Sequence, residues 1–149
     1  MDNQLILFIG IPASGKSTFY CSHFFPSYVY ISLDQLRSRS AEAELLAFAL
    51  RRQRNCVVDN TNVTRAMRAQ YIRLAKAAGW QVVGYCFVTD KASALARNAL
   101  RTGRARVSDK AIGAMAAQLE YPTRDEGFDE LYVVRLREDG YDVEVADEK

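Results

Sequence analysis

The stretch Gly10-Ile-Pro-Ala-Ser-Gly-Lys-Ser-Thr18 decides how this chain folds, because it joins an apolar run at 5–9 to a helical pattern that begins at Lys16. It matches the pattern G-x-x-x-x-G-K-[ST] in the strand–loop–helix context that the pattern requires. In such a loop the backbone N–H groups point inward and the next helix presents its positive end, so that the loop cradles a phosphate group. The alternative is a chance glycine-rich turn, which the flanking strand, the helix and the Ser17-Thr18 pair together disfavour.

Each loop residue has an expected part in holding a nucleotide. Gly10 and Gly15 permit backbone conformations that a side chain would forbid. Lys16 is expected to bridge the β- and γ-phosphates, and Ser17 to offer its hydroxyl to Mg²⁺. The candidate nucleotide-binding positions in the loop are Gly10, Pro12, Ala13, Ser14, Gly15, Lys16, Ser17 and Thr18. The chain has no Asn-Lys-x-Asp guanine-reading motif, so ATP with Mg²⁺ is the expected pair of cofactors.

Apolar runs alternate with helical patterns along the rest of the chain. Strands are predicted at 5–9, 28–32, 55–59, 81–88 and 131–134, and helices at 16–24, 41–54, 64–78, 91–101 and 108–120. Thr64 is the expected cap of the third of these helices, and Ser108 or Asp109 of the last. Strands that are apolar on both faces indicate a parallel α/β sheet covered by helices on both sides. We expect one domain over 1–149, in which 139–149 is a loose tail or adds a strand at 141–145.

Composition limits the class of protein but names no partner. The 149 residues carry a net charge of +2, and no apolar run approaches a membrane-spanning length. Arg dominates the basic residues, which suits two-pronged contacts with phosphate or reflects a biased codon usage. Cys21, Cys56 and Cys86 lie among apolar residues without a C-x-x-C spacing, so we expect buried, reduced thiols in a cytoplasmic protein. The oligomeric state is left open.

Two acids follow predicted strands at the edge where such sheets bind ligands. Asp59 ends the third strand, where it is expected to hold the Mg²⁺ water shell or, alternatively, to cap a helix. Asp34 follows the second strand, where a carboxylate could accept the proton of an attacking hydroxyl. Arg37, three residues on along a helical turn, is expected to project to the same side. The alternative for this pair is a helix-capping Asp with a surface Arg.

An Arg-rich segment contains Arg97, Arg101, Arg104 and Arg106. Arg97 and Arg101 are four residues apart, so a helix would place them on one face. Gly103 is expected to break that helix and to act as the hinge of a lid that brings Arg to the transferred phosphate. The alternative is a solvated basic helix end favoured by the helix dipole.

Taken together, these motifs resemble the kinase domain of the polynucleotide 5′-kinases, which include the phage enzyme and the kinase half of the animal kinase–phosphatase. The resemblance extends from Ile6 to about Val134. It rests on the loop with its internal Pro12, on Asp59-Asn-Thr-Asn62, and on a closing stretch in which Pro122, Thr123, Glu126, Gly127 and Phe128 match an "aPTxxEGF" pattern. Leu33 departs from the family, which often has Arg immediately before the catalytic Asp.

The resemblance implies a P-loop kinase with five parallel strands in the order 2-3-1-4-5 and an Arg-rich lid. It also implies transfer of the ATP γ-phosphate to a 5′-hydroxyl of DNA or RNA, as in nucleic acid repair. Asp34 would be the general base, and Arg37 would contact the acceptor phosphate. Thr61 and Asn62 would lie at the acceptor, Asp59 near the Lys16–Mg²⁺ centre, and Arg97 and Arg101 on the nucleotide phosphates.

Two other functions stay open at this level. One is a small-molecule kinase that uses the same ATP end for a sugar, a nucleoside or an antibiotic. The other is a non-catalytic ATP-binding module, which needs neither Asp34 nor a lid.

Overall fold

A six-stranded sheet runs through the middle of the molecule, in a computed structural model that describes residues 3–137 and 139–146, apart from the side chain of Arg104. Its strands are β1 (Gln4–Ile9), β2 (Val29–Ile31), β3 (Cys56–Asp59), β4 (Gln81–Phe87), β5 (Glu130–Arg137) and β6 (Gly140–Val145). Their order is β2-β3-β1-β4-β5-β6, parallel from β2 to β5. The predicted fold and five-strand order are confirmed. β6 pairs antiparallel with β5, so the extra strand is present, while predicted tail residues 147–149 lie outside the described residues.

Six α-helices connect the strands in the described part of the chain. They are α1 (Lys16–His23), α2 (Leu33–Leu36), α3 (Arg39–Arg51), α4 (Arg65–Ala77), α5 (Lys91–Ala99) and α6 (Asp109–Gln118). Thr64 and Ser108 cap α4 and α6 with their side chains, as the sequence predicts. α2 was expected only as a helical turn between Asp34 and Arg37. The predicted helix at 41–54 ends earlier, at Arg51, because Gln53 has a left-handed backbone that a helix cannot continue through.

The central strand β1 is buried on both faces, which explains its unbroken apolar sequence. Leu5, Leu7 and Ile9 pack into one core with α3 and α4. Ile6 and Phe8 face an aromatic core on the other side of the sheet. A parallel strand covered on both sides gains burial from every residue, so the β1 residues need no polar alternation.

The β5–β6 hairpin reaches back to the phosphate-binding loop. The Tyr141 hydroxyl donates to the Gly15 carbonyl at 3.1 Å, and the Tyr141 ring packs edge-on against Phe19 at 5.0 Å. The hairpin therefore supports the loop from behind and is part of the same folded unit.

The three cysteines differ in their exposure. Cys56 and Cys86 are buried free thiols, but Cys21 is exposed on α1, so the expectation that all three are buried is wrong. Cys21 follows the buried Tyr20 and lies on the outer side of the helix. Among the described helices, none is long and apolar enough to cross a bilayer.

Candidate active site

The loop between β1 and α1 is shaped by its backbone. Gly15 has φ +94° and caps α1, a left-handed conformation that favours glycine. At Gly10, a Cβ atom would lie 3.1 Å from the Phe87 carbonyl oxygen and 3.0 Å from Ser14 Oγ. The Gly10 N–H donates to the Thr61 carbonyl at 2.9 Å, which ties the loop to the end of β3. The α1 N-terminus thus opens toward the loop without a side-chain cap of its own.

Lys16 folds over this loop. Its Nζ donates to the Gly10 carbonyl at 2.9 Å and to the Ile11 carbonyl at 3.0 Å, and it lies 3.5 Å from Ser14 Oγ. Burial lowers the pKa of Lys16, while the nearby Asp59 carboxylate opposes that change. A partly desolvated ammonium held by carbonyl oxygens can exchange those neutral partners for phosphate oxygens.

Asp59 lies at the end of β3 and is buried, with 7% of its surface exposed. The Tyr30 hydroxyl donates a short hydrogen bond to its Oδ2. Burial raises the pKa of the Asp59 carboxyl, and the Lys16 ammonium and the Tyr30 hydrogen bond oppose the rise. Burial and Asp59 likewise raise the pKa of Tyr30, so the phenol stays a donor.

A divalent cation would find oxygen donors beside this carboxylate. Asp59 and the exposed Ser17 line the same cavity. One carboxylate and one hydroxyl suit Mg²⁺, which keeps several waters and takes further ligands from phosphate. In the described residues, no cluster of three or more His, Cys, Asp or Glu side chains forms a metal cage.

A cavity of about 680 Å³ opens at the carboxyl ends of the central strands. The structure brings ten of the predicted site residues to its wall: Pro12, Ala13, Ser14, Lys16, Ser17, Asp34, Asp59, Thr61, Asn62 and Arg101. Five other predicted residues are not part of the wall: Gly10, Gly15, Thr18, Arg37 and Arg97. The cavity therefore lies at the carboxyl edge of the sheet, where the sequence predicts the ligand site.

Asp34 occupies the first turn of α2, after the strand has ended at Ile31. Its charge opposes the lowering of the Lys16 pKa by burial and adds to the rise of the Asp59 pKa by burial, so it lies within electrostatic range of the loop. The prediction that a helical turn carries Arg37 to the same side is wrong. α2 ends at Leu36, and Arg37 is exposed in a left-handed conformation with φ +63°.

Arg39 lines the cavity where Arg37 does not. It is the first residue of α3, and its guanidinium lies 3.6 Å from the buried carboxylate of Glu42. Sequence reasoning missed Arg39, and the available signal was Ser38, which caps α3 by accepting from the Ala41 N–H. A helix that starts at residue 39 places a basic residue at its first position.

The predicted pair Arg97 and Arg101 does not share a helix face, because α5 ends at Ala99. Arg97 donates from Nε to the Ala13 carbonyl and from Nη2 to Thr89 Oγ1, both at 2.6 Å, and so braces the loop from outside the cavity. Arg101 lines the cavity and donates to the Ala105 carbonyl at 3.2 Å. The side chain of the predicted lid residue Arg104 lies outside the described part of the structure.

Asn98 holds the segment that carries Arg101. Its side chain is fully buried, donates to the Val107 carbonyl at 2.6 Å and accepts from the Val107 N–H at 3.0 Å. These two hydrogen bonds join Asn98 to Val107 and so close the Arg-rich segment between them into a loop. Gly103, expected as a hinge, has φ +60° and opens a 3₁₀ turn within that loop.

Asn62 is a buried structural residue as well as part of the cavity wall. Its side-chain amide donates to the Phe8 carbonyl at 2.8 Å, and its own carbonyl accepts from Arg68 at 2.9 Å. Arg68 is fully buried and forms two hydrogen bonds with Glu126, at 2.8 and 3.1 Å. Glu126 also closes a capping box with Thr123. The closing "PTxxEGF" stretch therefore braces the site from behind.

A second buried network was missed from sequence. The Asn60 amide nitrogen donates to Glu42 Oε2 at 2.7 Å and to the Tyr71 hydroxyl at 3.2 Å, and Tyr71 donates to Glu42 Oε1 at 2.6 Å. The Asn60 side-chain oxygen accepts from the Leu33 N–H at 2.9 Å. The one sequence signal was Asn60 itself, inside the polar Asp59–Asn62 run.

A protein-family model described as an AAA domain matches residues 5–122, which include every cavity residue named above. The chain belongs to this AAA domain family. Among curated proteins, the bifunctional polynucleotide phosphatase/kinase of Schizosaccharomyces pombe is 25% identical over 131 residues. The alignment covers 84% of this AAA domain chain and 32% of that relative, so the chain spans about a third of its length. The predicted resemblance to polynucleotide kinases is thereby confirmed.

Solved structures share the fold. Chaetomium thermophilum Kti12 in complex with ADP-AlF₃ superposes with a TM-score of 0.68 at 19% identity, covering 88% of each chain. A sugar kinase from Janibacter sp. HTCC2649 superposes with a TM-score of 0.66 at 14% identity, over 93% of this chain and 87% of that one. The AAA domain described here thus has a P-loop kinase fold.

Proposed function

We propose that this protein is an ATP- and Mg²⁺-dependent phosphotransferase that moves the γ-phosphate to a hydroxyl group, with the 5′-hydroxyl end of DNA or RNA as acceptor. The observation that carries the proposal is one cavity lined by a phosphate-loop lysine, Lys16, by the buried Asp59 and by the exposed Asp34. A module that only binds ATP has no need of the third group.

The donor side binds and orients the nucleotide. The loop N–H groups and the α1 N-terminus hold phosphate oxygens, and Lys16 exchanges its two carbonyl partners for the β- and γ-phosphates. Ser17 and Asp59 would hold Mg²⁺, which supplies charge neutralisation on the phosphate oxygens. We propose that Thr18 also contacts the nucleotide. Arg97 lies outside the cavity and acts on nucleotide binding through its hydrogen bond to the Ala13 carbonyl.

The acceptor side removes one proton. As the acceptor oxygen bonds to the γ-phosphorus, the bond from phosphorus to the β,γ-bridging oxygen breaks and ADP leaves. The acceptor proton passes to a carboxylate oxygen of Asp34. Arg101 stabilises the negative charge on the transferred phosphoryl group.

Recognition of the acceptor falls to the rest of the wall. Thr61 and Asn62 lie beside Asp59, and we propose that they contact the acceptor sugar. Arg37 is the phosphate ligand that the family resemblance implies, while Arg39 is the one that the cavity geometry favours. A polynucleotide acceptor is supported by the name of the fission-yeast relative, and we propose a role in nucleic acid repair. The free thiols fit a reducing cytoplasm.

A small-molecule kinase is the second candidate. The cavity of about 680 Å³ falls in the range that encloses a sugar, a nucleoside or an antibiotic, and the net charge of +2 is near balance.

The test is transfer of ³²P from γ-labelled ATP–Mg²⁺ to a short oligonucleotide with a 5′-hydroxyl, for the wild type and Asp34→Asn. We expect labelled strand from the wild type and a loss of about 10²–10⁴-fold in the variant. ATP turnover without labelled strand, and label on small hydroxyl compounds instead, would establish the second candidate. Equal activity of the two proteins would remove Asp34 from the reaction.

A further inference from the structure

Glu42 is a buried carboxylate that the proposed mechanism does not use. It lies on α3 with 5% of its surface exposed. Three groups face it: the Tyr71 hydroxyl at 2.6 Å, the Asn60 amide nitrogen at 2.7 Å, and the exposed guanidinium of Arg39 at 3.6 Å. Burying a carboxylate costs free energy, and the hydrogen bonds from Tyr71 and Asn60 offset that cost. We therefore ask what these bonds do for the site.

The carboxylate sets the direction of the Asn60 amide. An ionised carboxylate only accepts hydrogen bonds, so Asn60 must turn its NH₂ group toward Glu42. The amide oxygen of Asn60 is then forced to the opposite side, where it accepts from the Leu33 N–H at 2.9 Å. One acceptor-only group thus determines which end of the Asn60 amide reaches the chain at Leu33.

Leu33 is the first residue of α2, and its N–H is one of the amides that a helix leaves unpaired at its start. Ser32 occupies the cap position but makes no side-chain cap hydrogen bond. Asn60, which follows the end of β3, therefore caps α2 from a distant part of the chain. α2 has only four residues, so its internal hydrogen bonds alone hold it weakly.

We propose that Glu42 is a positioning residue for phosphoryl transfer: through the Asn60 amide it holds the first turn of α2 and so keeps Asp34 directed into the cavity. The inference rests on the proposed function, in which Asp34 accepts the proton. Glu42 itself does not line the cavity.

Glu42→Gln tests the chain of contacts at nearly constant volume. A glutamine amide can donate to the Asn60 oxygen, which lets the Asn60 amide turn and set its NH₂ group against the Leu33 N–H. We expect the Leu33 amide proton to exchange with solvent at least about tenfold faster in Glu42→Gln, while the core amide of Val58 is unchanged. Asn60→Ala, which removes the capping oxygen and leaves Glu42 bonded to Tyr71, should reproduce the effect. Unchanged exchange at Leu33 in Glu42→Gln would overturn the inference, whatever the result for Asn60→Ala.

Kinetics separate positioning from general weakening. Glu42→Gln should lower kcat for transfer by about tenfold or more with the KM for ATP within twofold of the wild type. The double variant Glu42→Gln/Asp34→Asn should be no slower than Asp34→Asn, because Glu42 acts through Asp34. Fully multiplicative losses would overturn the inference. Glu44→Gln, the same change at an exposed position on α3, is the matched control and should match the wild type.

The two proposals fail in different ways. If Asp34→Asn transfers phosphate as fast as the wild type, the role of Asp34 in the proposed function is wrong. The Leu33 exchange rates decide whether Glu42 holds α2 in either case.

Discussion

The donor and acceptor halves of the cavity are built by different means. The donor half, residues 10–18, is one continuous stretch whose shape depends on backbone groups, such as the Gly10 N–H on the Thr61 carbonyl. The acceptor half combines Asp34, Arg39 and Asn60 from three separate parts of the chain. Side chains hold it together around the buried Glu42.

This difference bears on how such a site changes. The donor half is held through its backbone groups, with Arg97 and Tyr141 as side-chain supports, so it tolerates other changes around it as long as these two residues and its glycines remain. A network of side chains fails when one member changes. We therefore expect the acceptor half to control which hydroxyl is used, and the donor half to control whether phosphate is moved at all.

The largest effect is expected in the donor half. Lys16→Met keeps the length of the side chain but removes the positive charge that stabilises the transferred phosphate. Transfer should therefore fall by about 10³-fold or more. Because burial already lowers the pKa of Lys16, losing the ammonium should not lower the melting temperature. Labelled-phosphate transfer and thermal unfolding measure both.

Lys110→Met, on the exposed side of α6, is the control for Lys16→Met and should leave both quantities unchanged. Transfer by Lys16→Met within tenfold of the wild type would contradict the division into halves.

The next largest effect concerns the brace shared by both halves. Arg68→Met leaves the buried Glu126 with the Arg65 guanidinium, 4.0 Å away, as its cation and removes the donor to the Asn62 carbonyl. This should cost about 3–5 kcal/mol of unfolding free energy. In a domain of this size that lowers the melting temperature by about 10 °C. Circular dichroism during heating measures the shift.

The double variant Arg68→Met/Glu126→Leu should recover part of that loss, because it removes both charges. A melting temperature for Arg68→Met within about 2 °C of the wild type would show that the Arg68–Glu126 pair contributes little to the free energy of unfolding.

Arg39→Ala and Arg37→Ala compare the two candidate phosphate ligands of the acceptor half. If Arg39 contacts an acceptor phosphate, Arg39→Ala should raise the KM for a 5′-hydroxyl oligonucleotide by about tenfold and reduce the slope of affinity against salt by about one. Arg37→Ala should have a smaller effect, since Arg37 does not line the cavity. Steady-state kinetics at three salt concentrations decide the order. A larger effect of Arg37→Ala would return the phosphate contact to Arg37.

The smallest expected effect is on stability at Asp59. Burial raises the pKa of this carboxyl above its unfolded value, so its charge costs stability at neutral pH, and the cost vanishes as pH falls below about 4. Asp59→Asn should therefore raise the melting temperature at pH 7 by about 2–4 °C, or roughly 1 kcal/mol, without added metal. The gain should shrink steadily toward pH 4. Thermal unfolding across this range would refute the account if the variant melts lower at pH 7.

Much of the donor half and of the sheet could be predicted from sequence, because local patterns carry them. The loop motif, the capping residues Thr64 and Ser108, and the continuous apolar strands are each readable over a few residues. The strand order followed from the family resemblance. Helix ends were predicted less well: α5 ends two residues early, which separates Arg97 from Arg101.

The sequence by itself determined that a phosphate loop precedes a helix, that parallel strands are covered on both sides, and that Asp34 and Asp59 reach the same edge. Only the tertiary structure decided that Arg39 rather than Arg37 lines the cavity and that Glu42, Asn60 and Tyr71 meet. The physical reason is distance along the chain. A backbone motif contains its own hydrogen-bond partners within a few residues, whereas a buried side chain finds its partners only when distant segments pack together.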